Sequence, residues 1–208
     1  MLIPYRSVRT PCRKEKEIKK SIFIAQLFPV ETEEEAQSIL ETVRKNHKDA
    51  AHHCWAWRIG TIRIREKSSD GGETQGTAGH PMLHVLQMKS LTNTLSAVTR
   101  YFGGIKLGTG GLARAYGGGA NKCLQNAEKL PLFRRVELSC ACDFNELALV
   151  KLRLAELNGI LIDETFTANG VELQLALAEE HIAPLQQQLS GLSRGRILLH
   201  RSPVDPAE

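Results

Sequence analysis

Eight of the chain's 17 glycines fall between Gly103 and Gly119, in the run Arg100-Tyr-Phe-Gly-Gly-Ile-Lys-Leu-Gly-Thr-Gly-Gly-Leu-Ala-Arg-Ala-Tyr-Gly-Gly-Gly119. Glycines clustered between a strand and a helix let the backbone turn tightly and expose N–H groups at the helix N-terminus, where an anion is well held. With Arg100, Lys106 and Arg114 in the same run, the chemistry on offer is phosphate or nucleic-acid binding. The candidate binding set is Thr77, Arg100, Tyr101, Gly103, Gly104, Lys106, Gly108, Gly110, Gly111 and Arg114. The loop is not a Walker A loop, which ends Gly-Lys-Ser/Thr, whereas here Gly108 is followed by Thr109 and Gly110. Nor is it a G-x-G-x-x-G fingerprint followed by an acid about 20 residues on. Gly117–Gly119 fall inside the expected helix, at about 1 kcal/mol each against alanine, so close packing on a sheet is their expected reason.

A second candidate is Ser69-Asp70-Gly-Gly-Glu73-Thr-Gln-Gly-Thr77-Ala-Gly79. Asp70 and Glu73 could act as a general base or a magnesium pair, or Asp70 could simply accept backbone N–H bonds in a turn. The composition favours the turn. Thr77 could also cap the next helix. His52-His53-Cys54 invites a metal site, but neighbours on a strand face opposite ways, so only one histidine can serve a given site. His80 and His84 have helical ligand spacing but lack the glutamate of His-Glu-x-x-His, and Pro81 is expected to start the helix. No metal and no cofactor are expected. No Gly-x-Ser-x-Gly elbow is present, so no catalytic nucleophile is assigned.

The charge map surrounds these residues. Residues 1–134 carry 21 Lys/Arg against 12 Asp/Glu, and residues 135–208 carry 6 against 11. From Thr74 to Ala127 there is no acid, where the average composition would place about six. Lys89, Arg100, Lys106, Arg114 and Lys122 all lie in that window, which suits a polyanion. Aromatic residues make up only 5%, which weakens a reading based on a base-stacking platform.

The elements that must position the motifs read as follows. Strands are expected over 8–12 and 21–30, then a helix over 33–46 opened by Thr32 and Glu35, [ST]-x-x-E. A strand over 51–59 follows, with Arg63 and Ile64 returning beside it. A short helix from Pro81, a strand over 95–102 and a helix over 110–127 complete an α+β unit with helices on one side of its sheet. Pro131 marks the expected boundary, giving domains 1–134 and 135–208. Beyond it the order is strand 135–142, helix 145–157, strand 160–167, an Asn169-Gly170 turn, strand 171–178, helix 179–189 and strand 196–200. That is the βαββαβ order of a ferredoxin-like unit, closed by a disordered SPVDPAE tail.

Length and composition agree with a folded protein: 208 residues, 42% hydrophobic and 24% charged. No stretch reaches the ~20 apolar residues of a membrane helix, and the opening residues are too polar after Ile3 for a secretory leader. Five cysteines without a Cys-x-x-Cys pair point to reduced, structural thiols. Cys140 and Cys142 would share one strand face. A cytoplasmic protein with no membrane partner is expected.

The block Thr99–Leu112, with Ala51-His52-His53-Cys54, Asp70, Gly72, Glu73, Gly76-Thr77-Ala78-Gly79 and Pro81, resembles the signature of the IMPACT (YigZ-like) family. The resemblance implies an N-terminal domain like domain 2 of ribosomal protein S5 and a C-terminal ferredoxin-like domain similar to one in elongation factor G. It also implies RNA, the ribosome or translation factors as partners. Eukaryotic relatives regulate translation through a kinase-activating partner but carry a different extra domain, so that mechanism is not expected here. The family's Asp-Asp-Gly-Glu-Pro block reads Asp70-Gly71-Gly72-Glu73-Thr74 in this chain, which removes the second carboxylate of a two-acid site. Two functions follow: a translation-associated regulator binding RNA or the ribosome through the basic loop, or an enzyme acting there on a phosphorylated small molecule or nucleotide. In the first, His52, His53, Asp70 and Glu73 are supporting residues; in the second, Arg100 and Lys106 would hold phosphate and Glu73 would be the base. Asp70 and Glu73 are expected near Arg100 or the Gly103–Gly111 loop, to orient the arginine and order the loop.

Overall fold

Ser21-Ile-Phe-Ile-Ala-Gln-Leu-Phe-Pro29 is apolar at odd and even positions alike, and it forms a strand covered on both faces. The structure, a computed structural model, describes residues 5–133 and 135–202. The chain divides into two compact units, Met1–Phe133 and Arg134–Glu208. The first contains β1 (Tyr5–Val8), β2 (Cys12–Ile18), β3 (Ser21–Pro29), α1 (Glu33–Asn46), β4 (His52–Ile59), β5 (Arg65–Ser69), α2 (Gly79–Met88), β6 (Thr94–Tyr101), α3 (Thr109–Gln125) and β7 (Lys129–Leu132). Five strands make an antiparallel sheet in the order β2-β3-β6-β4-β5, and β1 pairs separately with β7.

Strand alternation sorts this sheet into two cores. Phe23, Ala25, Leu27, Cys54, Ala56 and Val98 pack with Met82 and Leu86 of α2 and with Leu112, Tyr116 and Ala120 of α3. The residues between them, Trp57, Ile59, Leu95 and Ala97, meet Ala36 and Leu40 of α1. Helices therefore cover both faces, not the one face expected, because the central strands are apolar on both sides. At the start of α1, Thr32 Oγ1 accepts from the Glu35 N–H at 3.2 Å, as the capping signal predicts. The Glu35 carboxylate reaches back one residue further, to the N–H of Glu31.

The second unit runs β8 (Arg135–Cys142), α4 (Leu147–Glu156), β9 (Ile160–Thr167), β10 (Gly170–Ala178), α5 (Glu179–Ser193) and β11 (His200–Arg201). Its antiparallel sheet has the order β11-β8-β10-β9. Cys140 and Cys142 share the face that also buries Leu138, Val171 and Leu173 against Val150, Leu154, Leu185 and Leu189 of the helices.

Several boundaries differ from expectation for physical reasons. The strand expected over 8–12 is two strands; β2, Cys-Arg-Lys-Glu-Lys-Glu-Ile, is an edge, where charged side chains blunt the open ladder and erase the apolar signal. Pro131 lies within β7, opposite Arg6 of β1, where a two-stranded ribbon tolerates proline. The partner of β4 begins at Arg65, α2 begins at Gly79 rather than Pro81, and the last strand shrinks to His200–Arg201. The β9–β10 loop is Ala168-Asn169, neither at positive φ. Gly170 is needed because a Cβ there would stand 2.4 Å from the Cys142 carbonyl oxygen. The left-handed two-residue hairpin instead joins β2 to β3 at Lys19 (φ 48°) and Lys20 (φ 64°), the geometry of a type I′ turn. Of the tail, residues 203–208 lie outside the described residues.

Candidate functional site

β6 presents Arg100 on the α3 face of the sheet, opposite Phe23 of β3 and His52 of β4. Its guanidinium lies between the Phe23 and Phe102 rings, 5.3 and 5.2 Å from their centroids. Nη1 donates to Glu73 Oε1 at 2.6 Å and Nη2 to Ser21 Oγ at 3.3 Å; Nε is buried with no partner among the described residues. The Tyr116 hydroxyl, from α3, donates to the same Glu73 oxygen at 2.7 Å. His52 completes the cluster, with Nε2 3.8 Å from Glu73 Oε1 and Nδ1 3.2 Å from the Gly71 carbonyl. Burial, with Cys54 and Glu73 adding to it, pushes the Tyr116 phenol far up, so it acts as a donor. Burial also raises the Cys54 thiol to about 12, and that thiol donates to the Asp70 carbonyl at 2.9 Å.

Asp70 does a different job. Its Oδ1 accepts from Ala78 and Gly79 N–H, both at 2.9 Å, and its Oδ2 from Gly76 N–H at 2.8 Å. It caps α2 from eight residues upstream. Burial works to raise its pKa, but these three bonds hold the carboxyl below the usual carboxylate value. Thr77 is not the cap. Its hydroxyl turns back to donate to the Thr74 carbonyl at 2.6 Å, because Asp70 already occupies the first-turn donors. Asp70 therefore makes no bond to Arg100, while Glu73 does. The dull alternative for Asp70, a turn carboxylate serving backbone, is the observed one.

The glycine loop lies beside the ion pair. A Cβ on Gly103 would fall 2.0 Å from the Lys20 carbonyl carbon, so only glycine lets this loop pass the Lys19-Lys20 turn. The Gly103 N–H donates to Ser21 Oγ at 3.1 Å, the hydroxyl that also receives Arg100. Gly104 and Gly108 take φ of +82° and +72°. The N–H groups of Thr109, Gly110 and Gly111 precede the first α3 bond, Leu112 N–H to the Gly108 carbonyl, and no side chain caps them. Arg114 lies along Gly110, 3.6 Å from where a Cβ would be. Lys19, Lys20, Lys106 and Arg114 are all exposed, with no carboxylate partner among the described residues. Farther along α3, Gly117 and Gly119 leave ordinary contact distance, 3.4 Å, to Pro81 and Ala25, while Gly118 meets nothing.

Arg100, expected on phosphate, is thus 4% exposed and bonded within the fold, between the Phe23 and Phe102 rings. Two expected residues lie on the other face. Tyr101 shares a 2.9 Å hydrogen bond with His47, and His53 one of 3.3 Å with Thr99. Burial lowers the His53 pKa. Sequence reasoning did not single out Ser21, Tyr116 or the Lys19-Lys20 turn. Tyr116 was legible as the one bulky residue in a stretch of alanine and glycine; Ser21 and the turn had no signal once β2 went unseen. Among the described residues, no group of three His, Cys, Asp or Glu could hold a metal ion.

Residues 19–124 match the Impact N-terminal domain, and residues 140–196 match a domain of unknown function, DUF1949. A relative described as "IMPACT family member YigZ", from Escherichia coli (strain K12), is 39% identical over 189 residues, 88% of this chain and 91% of its own. The chain belongs to the IMPACT family. Another IMPACT family member, YvyE from Bacillus subtilis, is 36% identical over 94% of this chain and 90% of its own. "Protein IMPACT" of Oryctolagus cuniculus shares only 43% of this chain, at 35% identity, and 29% of its own length. A solved structure described as that of a hypothetical protein aligns over 98% of this chain and all of its own, with a TM-score of 0.78 at 35% identity. Among the described residues, no helix of this IMPACT member is long and apolar enough to cross a membrane.

Proposed function

We propose that this IMPACT-family chain is a cytoplasmic, translation-associated regulator that holds RNA or the ribosome on the basic, glycine-rich surface of residues 1–134 and performs no chemistry there. The observation that carries the proposal is a division of labour among the cations. Arg100 is buried and closed on Glu73, whereas Lys19 and Lys20, in the turn beside Gly103, and Lys106 and Arg114, in the loop and first turns of the uncapped α3, are exposed with no carboxylate partner among the described residues. Such a surface neutralises phosphates; the buried pair keeps its loop in shape. An enzyme at the same loop would need Glu73 as base, but its Oε1 already takes both Arg100 and Tyr116 at the 5% exposure of its side chain.

The fold supports the same direction. The order β8-α4-β9-β10-α5-β11, with strands arranged β11-β8-β10-β9, supports a ferredoxin-like second domain like one of elongation factor G. The first unit we assign to the S5 domain 2-like class that the family signature implies, with residues 1–134 and 135–208 as the domains.

The test is titration of a labelled single-stranded RNA with the full chain at increasing salt. Lys106→Ala and Arg114→Ala should each weaken binding and shallow the salt dependence by about 0.7 of slope. Hydrolysis of a nucleotide or phosphoester, lost in Glu73→Gln, would instead establish the enzyme.

A further inference from the structure

The five thiols occupy unlike surroundings. Cys54 and Cys140 are each raised to about 12 by burial, and Cys142 is raised as well. All three are buried. Cys12 and Cys123 differ. Cys12 opens the edge strand β2 and is partly exposed; Cys123 lies in the last turn of α3 and is 1% exposed. Their Sγ atoms are 3.0 Å apart, roughly 1 Å beyond a disulfide bond of ~2.05 Å. The hydrogen bond between them brings Cys12 down to about 7, against the opposing effect of burial, and pushes Cys123 well up. One sulfur is reachable and nucleophilic; the other waits behind it, protonated.

We propose that Cys12 and Cys123 form a peroxide-sensitive thiol pair that closes to an intramolecular disulfide. The Cys12 thiolate attacks one oxygen of hydrogen peroxide; the O–O bond breaks, and the departing hydroxide takes up a proton to leave as water. Cys12 is then a sulfenic acid. The Cys123 sulfur attacks the Cys12 sulfur, the S–O bond breaks, and the hydroxyl leaves with the Cys123 proton as a second water. Two thiols lose two electrons and one peroxide becomes two waters. The bond fastens β2, which carries Arg13, Lys14 and Lys16 and leads into the Lys19-Lys20 turn, to the C-terminal end of α3. It joins residues 111 apart in the chain.

The full chain, treated with hydrogen peroxide, alkylated and mapped without reduction, tests this. The expected result is loss of two free thiols, a mass lower by two hydrogens and one linked peptide pair carrying Cys12 and Cys123. Dithiothreitol should restore both thiols while the other three stay free throughout. In Cys123→Ser, dimedone should label Cys12 and no linked pair should form. If that variant does not fold, the peptide map of the unaltered chain decides alone. Five thiols surviving peroxide, a bond between any other cysteines, or a bond between two chains would overturn the pair.

Discussion

Glu73 is the residue on which the first unit turns. One of its oxygens receives a guanidinium and a phenol in a place where both partner side chains of the ion pair are 5% exposed. Removing one member of a buried pair leaves the other charge unpaired, at about 3–5 kcal/mol. Glu73→Ala should therefore lower the unfolding free energy, measured by denaturant titration, by that much, and Glu73→Gln, which retains an acceptor for Tyr116 and Arg100, by clearly less. Asp70 gives a pH signature. Its folded pKa is depressed, so its contribution is present above the unfolded value of about 3.9 and is lost as pH falls through the lower folded value. Unfolding free energy measured from pH 6 downward should fall through that window in the wild type. In Asp70→Ala the step should be missing, and stability at neutral pH should be lower by about 1 kcal/mol. A wild-type acid limb unchanged by Asp70→Ala would remove the carboxylate from the helix cap.

At the scale of elements, the Lys19-Lys20 turn shows what the sequence could and could not convey. The apolar strands β3, β4 and β6 and the capped helix α1 were legible because burial and capping write directly into residue type. β2 was not, since an edge strand of alternating charge looks like a solvated loop. With β2 hidden, the turn behind it and the neighbour of Gly103 were hidden too. The glycine loop itself was plain, but whether its cations face phosphate or each other's partners depends on contacts 27 to 79 residues apart, such as those of Arg100 with Glu73 and Ser21. The turn yields a separable prediction. Asn-Gly suits the left-handed positions that Lys19 and Lys20 hold, so Lys19→Asn with Lys20→Gly should raise stability by on the order of 1 kcal/mol. The same variant should bind RNA more weakly. Stability and binding falling together would mean that the lysines matter to the fold and not to a ligand.

For the whole molecule, the charge is divided between the units much as the sequence divides it, with 20 Lys/Arg against 12 acids in residues 1–133 and 7 against 11 in residues 134–208. A polyanion meeting this chain is drawn to the first unit and repelled by the second, and the attraction weakens with salt. The most direct measurement is the slope of log affinity against log salt for the full chain on single-stranded RNA. The comparison is wild type against a variant with Lys19, Lys20, Lys106 and Arg114 all changed to alanine. If these four exposed cations hold phosphates, the slope should shallow by about 0.7 per lost contact, approaching 3 units, with folding stability preserved. An unchanged slope and affinity in the quadruple variant would contradict a binding surface at the glycine loop.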